Sequence, residues 1–214
     1  MNIAYLIPGI GMSEPERDRR RKLLNQLSGE DIKISILEVD EGPAAIETAE
    51  DEVAATGPTL KLARANEAEF DAFIIGCFGD VGIDALRKEI GIPVIGPARA
   101  TYAIMAIAFP GFGILSLNSG FIEEEREFAQ KLGVLNQVEN IVALDLPVDT
   151  IIGSPDETLQ RITELVGQMD VSAAVPGCMS MAFLLEERKI SAIQSTRIVN
   201  PLHCAVRAAA MMIV

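Results

Sequence analysis

Short runs of Val, Ile, Leu and Ala, with little polar alternation, recur along this chain between longer amphipathic or Ala-rich stretches. A strand that reads as almost continuously apolar is covered on both faces, and such strands belong to parallel sheets sandwiched by helices. The runs fall at 3–7, 32–39, 72–76 and 93–95, then at 112–117, 138–144, 173–176 and near Ile198. Helices fit between them at 14–27, 82–90 and 98–108, then at 119–132, 155–168, 181–189 and 202–212. A further helical stretch between 44 and 70 reads as a pair broken at Gly57-Pro58. Ser154 before Pro155 reads as a cap and first turn. The expected fold class is α/β: two pseudo-symmetric halves, each a roughly four-stranded parallel sheet flanked by helices.

The halves repeat one another. An offset of 101 residues lays Ala72, Gly76 and Cys77 on Ala173, Gly177 and Cys178, and Arg87-Lys88 on Arg188-Lys189. Three residues more lays Pro97 and its Ala-rich helix on Pro201 and the helix after it. Residues 3–7 resemble 112–116 at the start of each half. The boundary is expected in the Gly- and Pro-rich region 96–111. Residues 1–98 with the terminal helix 199–214 form the half holding Cys77, and residues 99–198 the half holding Cys178.

Both cysteines follow a glycine at a strand exit, with a helix expected soon after. Ligands in open parallel sheets bind beyond the carboxyl ends of the strands. Turn N–H groups and a helix N-terminus favour an anion there and lower a thiol pKa from about 8.5 toward neutrality. A thiolate abstracts a proton and a thiol returns one. Inversion of a carbon centre needs a base on one face and an acid on the other, and two related halves closing on one ligand supply both. The N–H groups of Phe78, Gly79 and Met179 are candidate donors to a developing enolate. The alternative is two buried cysteines that serve as small hydrophobes.

Other residues have two readings each. Asp80 is either a helix cap or a group that orients substrate or thiol. The loop from Pro8-Gly9 can bring backbone close to a carboxylate or imide, but it is no nucleotide fingerprint. Ser116 and Asn118, in the place matching Pro8 and Gly9, offer polar contacts or ordinary turn chemistry. Cys204 reads as helix packing. His203, the single histidine, reads as a capping or surface residue, which leaves no His-based triad or His-rich metal site.

Composition excludes other classes. A net charge of −13 opposes nucleic acid binding, so the basic run from Arg17 to Lys22 reads as a solvated helix face. No stretch reads as a signal peptide or membrane span; the apolar residues 205–214 reach about half the length a span needs. Three cysteines without CxxC spacing indicate neither a disulfide framework nor a zinc knuckle, and fit a reducing cytoplasm.

The run Cys77-Phe78-Gly79-Asp80, followed by Gly82 and then Ile92-Pro93-Val94-Ile95-Gly96, resembles the first-cysteine motif of the aspartate/glutamate/hydantoin racemase superfamily. It is most similar to the hydantoin and allantoin racemases. Gly177-Cys178-Met179-Ser180-Met181-Ala182 resembles the second cysteine motif, which adds Gly177 and Ser180 to the candidate substrate contacts. The resemblance implies cofactor-independent racemisation of a small molecule by Cys77 and Cys178, a site between the two halves, and a homo-oligomer. It also implies a hydantoin or allantoin substrate. Aspartate or glutamate racemisation, maleate-type isomerisation and decarboxylation are the alternatives within the superfamily, and a ligand-binding module the alternative outside enzymology. The sequence departs from the pattern at Pro8-Gly9-Ile10, where Asn-Pro-Asn is usual, at Asn200-Pro201, where Asp-Pro is common, and at Ser116-Leu117, where a second polar residue is usual.

Overall fold

The structure, a computed structural model, describes residues 1–213. It divides into two compact units, residues 1–100 with the described residues from Leu202 onward, and residues 101–201.

The first unit runs β1 (Asn2–Ile7), α1 (Glu14–Ser28), β2 (Lys33–Glu38), α2 (Ala49–Asn66), β3 (Ala72–Ile75), α3 (Ile83–Glu89) and β4 (Val94–Ile95). Its four strands pair in the order β2-β1-β3-β4, all parallel. Ile3 to Leu6 and Ala72 to Ile75 are wholly buried, which is why these strands carry no polar alternation. Helix α4 (Pro97–Ala108) crosses the boundary, and the last helix, α9 (Pro201–Met212), returns to this unit. The terminal helix expected at 202–212 runs from Pro201 to Met212; Val214, the end of the segment 199–214, lies outside the described residues.

The second unit runs β5 (Phe112–Ser116), α5 (Ile122–Lys131), β6 (Val138–Ala143), α6 (Val148–Gly153), α7 (Pro155–Gly167), β7 (Ala173–Gly177), α8 (Met179–Glu187), β8 (Ala192–Ile193) and β9 (Thr196–Ile198). Its sheet has five strands in the order β6-β5-β7-β9-β8. The first four are parallel, and β8 pairs antiparallel to β9 at the edge. The hairpin turns at Gln194, which has φ 52°.

Strand for strand, β2-β1-β3-β4 and β6-β5-β7-β9 are the same arrangement. In each sheet the chain leaves the first strand to one side and later strands are added on the other. The carboxyl ends of β1 and β3, and of β5 and β7, therefore flank a topological switch point, where open α/β sheets bind ligands.

Two local expectations need correction. The stretch 44–70 is one helix from Ala49, not a broken pair. It starts at a capping box, where Thr48 Oγ1 accepts from the Asp51 N–H and the Asp51 carboxylate accepts from the Thr48 N–H. Pro58 stays inside it. The Thr56 and Thr59 hydroxyls bond carbonyls in the adjoining turns, and Ala55, Thr59 and Ala63 bury one stripe, so packing outweighs the lost backbone bond. Ser154 holds the cap position of α7 but makes no side-chain cap bond. Helix α6, which fills the interval between β6 and α7, was not foreseen. The basic run on α1 is ion-paired: Arg19 and Arg20 with Glu16, Arg21 with Asp18 and Arg17 with Glu38. Arg20 is buried rather than solvated.

Candidate active site

In the first unit, β3 delivers Cys77 to the switch point. Gly76 makes this delivery feasible. Its N–H donates to the Leu6 carbonyl at 2.6 Å, and a Cβ there would lie 2.6 Å from that oxygen and 2.8 Å from the Tyr5 ring. Only glycine fits so close to β1. Cys77 follows, half-buried, against the core of α2 and α3. The Asp80 N–H donates to the Cys77 carbonyl at 3.2 Å and closes a turn. Asp80 sits at φ 55° and Gly82 at φ 67°, so the turn bends twice through left-handed backbone before α3. Gly79 is exposed at the tip, and the Glu52 carboxylate of α2 occupies the space where its side chain would stand. Phe78 is buried. Pro8 and Gly9, also buried, follow the end of the neighbouring strand β1, and a Cβ at Gly9 would meet the Ala44 and Pro43 carbonyls.

Asp80 is 2 % exposed. Its carboxylate accepts from the backbone N–H groups of Ala98 at 2.9 Å and Arg99 at 3.1 Å, and from Arg99 Nη1 at 3.1 Å. It is a helix cap, but of α4 rather than of the helix after its own turn. Burial pushes its pKa from 3.8 up to about 6, while the two N–H groups and the Arg99 guanidinium pull the other way. Arg99 also reaches Asp84 at 3.0 Å.

In the second unit, Gly177 ends β7 opposite Ser116 on β5, and Cys178 follows. A Cβ on Gly177 would lie 3.0 Å from both the Leu115 carbonyl and Glu125 Oε1. The two Gly-Cys pairs thus share a physical cause: each glycine lets its strand end lie on the backbone of the unit's first strand. The register corrects one expected match: Ser116 stands at the position of Ile7 rather than Pro8, while Asn118 stands at that of Gly9. Ser116 is wholly buried, and its hydroxyl donates to the Asn118 carbonyl at 3.2 Å.

The surroundings of the two thiols differ. Cys178 is itself the N-cap of α8, in extended backbone, and its carbonyl accepts from the Ala182 N–H at 3.0 Å. Helix α8 starts at Met179, two residues before the expected start, and Met179 and Ser180 lie buried in its first turn. Cys77, by contrast, is separated from α3 by the turn 78–82. The expectation that a helix N-terminus meets each thiol therefore holds for Cys178 alone. Cys178 is 9 % exposed and belongs to the core of its unit.

Three side chains beside these turns carry no sequence signal. Glu52 and Glu125 lie in acidic first turns of helices, where a carboxylate reads as a dipole partner. Tyr102 lies inside an apolar helix. Its buried hydroxyl donates to Glu125 Oε2 at 2.7 Å. Cys204 is buried and His203 exposed on α9. None of the three cysteines is in a disulfide. No cluster of three or more His, Cys, Asp or Glu able to hold a metal ion occurs among the described residues. No helix among them is long and apolar enough to cross a membrane.

The profile of the Asp/Glu/hydantoin racemase family matches residues 20–209. A hydantoin racemase of Paenarthrobacter aurescens is 27% identical over 186 residues, 84% of this chain and 78% of that protein. The structure of an allantoin racemase from Klebsiella pneumoniae superposes with a TM-score of 0.86 at 22% identity, covering 100% of this chain and 87% of that one. An allantoin racemase from Pseudomonas fluorescens gives 0.87 at 16% identity, covering 100% and 91%. The two structures share the α/β fold of this chain, and the profile spans both of its Gly-Cys turns. The chain belongs to the Asp/Glu/hydantoin racemase family and is an isomerase of the racemase class.

Proposed function

We propose that the protein is a cofactor-independent racemase of a hydantoin-type ring, hydantoin or allantoin, with Cys77 and Cys178 as its acid–base pair. One observation carries the reading. The two sheets repeat one strand order, and at the same carboxyl-end switch point each presents a glycine-backed cysteine that is not in a disulfide. The similarity to hydantoin and allantoin racemases supports the substrate class.

The chemistry balances without a further reagent. The thiolate of one cysteine takes the proton from the ring carbon beside the carbonyl; an S–H bond forms as the C–H bond breaks. The electron pair passes to the carbonyl oxygen as an enolate, which backbone N–H groups of Phe78, Gly79 and Met179 stabilise. The thiol of the other cysteine then gives its proton to the opposite face, and the pair collapses back into a C–H bond. The roles are exchanged at the end of one inversion, and the opposite enantiomer resets them. The two protons belong to a coupled pair. Pro8, Gly9, Ser116, Gly177 and Ser180 are the further residues assigned to contact the ring in this reading. Reduced thiols in this role fit a reducing cytoplasm, and the reading includes a homo-oligomer.

The test is incubation with hydantoins, allantoin, aspartate, glutamate and maleate in D₂O. Deuterium is expected at the stereocentre of a hydantoin or allantoin. Incorporation into aspartate or glutamate alone would move the substrate class, and addition to maleate would replace the reaction class.

A further inference from the structure

We propose that Asp80 is a positioning residue: its carboxylate pins the turn that carries Cys77 to the start of α4, and so sets the direction of the Cys77 thiol. Four observations meet at this residue. The Asp80 N–H closes the turn on the Cys77 carbonyl. The Asp80 backbone is held at φ 55°, a conformation that is strained for a non-glycine residue and needs support from outside the turn. The carboxylate supplies that support through both N–H groups at the start of α4 and the Arg99 guanidinium. Gly96 leaves the room: a Cβ at that position would stand on the Asp80 carboxylate.

The charges around this carboxylate are Arg99 on α4, Arg87 and Asp84 on α3, and Glu52 of α2 beside Gly79. Arg99 offsets Asp80 directly. Asp80 therefore acts by holding the turn, without placing an unbalanced negative charge beside a thiol that must ionise. With both oxygens engaged and 2 % exposure, it reaches substrate only through Cys77. A misplacement of about 1 Å at a reacting group costs on the order of 10²-fold in rate.

For turnover this inference rests on the acid–base role proposed for Cys77; for the thiol itself it does not. Two substitutions test it. Asp80→Asn removes the charge in the same shape. Gly96→Ala keeps the carboxylate but fills its slot. Native protein is alkylated with iodoacetamide, and Cys77 and Cys178 are followed separately by mass spectrometry. Both variants are expected to change the Cys77 rate by about 10-fold or more and leave Cys178, in the other unit, within about 2-fold. In racemisation kcat falls by roughly 30-fold or more while KM stays within about 3-fold. An unchanged Cys77 rate in both variants overturns the inference, and so do Cys77 and Cys178 rates that shift together. A changed Cys77 rate with unaltered turnover upholds the hold of Asp80 on the thiol and overturns the role proposed for Cys77.

Discussion

The hydroxyl of the wholly buried Tyr102 donates a 2.7 Å hydrogen bond to the carboxylate of Glu125. The Tyr102 ring is packed by Phe112 and Phe128, at centroid distances of 5.8 and 5.9 Å. The other carboxylate oxygen lies against Gly177, at the strand end that presents Cys178. A half-buried carboxylate is thereby fixed from α4 onto the end of β7. Tyr102→Phe keeps the ring packing and removes the donor. It is expected to cost about 1.5–3 kcal/mol, read as a lower midpoint with an unchanged slope in urea unfolding.

The two glycines before the cysteines rank by their surroundings. At Gly76 a methyl meets a strand carbonyl at 2.6 Å and a buried ring at 2.8 Å; at Gly177 the nearest atoms stand at 3.0 Å. Gly76→Ala is therefore expected to destabilise more than Gly177→Ala. Overpacking of this kind costs about 1–3 kcal/mol, with Gly76→Ala at the upper end. Urea unfolding of both variants gives the order directly, and equal or reversed costs would contradict the packing described for β1 and β3.

Asp80 makes stability depend on pH with a definite sign. Its pKa in the fold is about 6, against 3.8 ordinarily, so the folded state holds this proton more firmly than the unfolded chain. The stabilisation that comes from keeping it is complete below pH 3.8 and is lost as pH rises through 6. The loss is on the order of 3 kcal/mol. Unfolding free energies of the parent protein minus those of Asp80→Asn should fall between pH 4 and pH 6 and stay level above 7. A difference that rises over that interval has the wrong sign for a carboxylate governed by burial.

The parallel sheets were legible because burial on both faces writes itself as continuous apolar runs, and the repeat because Gly76-Cys77 and Gly177-Cys178 have a common steric cause. Pro58 misled, since an isolated proline breaks a helix unless tertiary packing and neighbouring hydroxyls hold it, and neither can be seen locally. The edge strand β8 and the short α6 each have too few residues for a period. Asp80 showed itself as a cap but not its target, because a contact across eighteen positions leaves no trace in spacing. Glu125 and Glu52 look like any acid in a first helical turn; what sets them apart is the bare glycine each lies upon.

The most direct measurement is racemisation in D₂O by the parent protein and by Cys77→Ser and Cys178→Ser, starting from each enantiomer of the accepted hydantoin. Acid–base groups contribute about 10²–10⁴-fold each. Both single variants should therefore fall by at least about 10²-fold from either enantiomer, while the parent carries deuterium into both products. A variant at either position that racemises within about 3-fold of the parent would contradict a pair of thiols sharing one proton transfer.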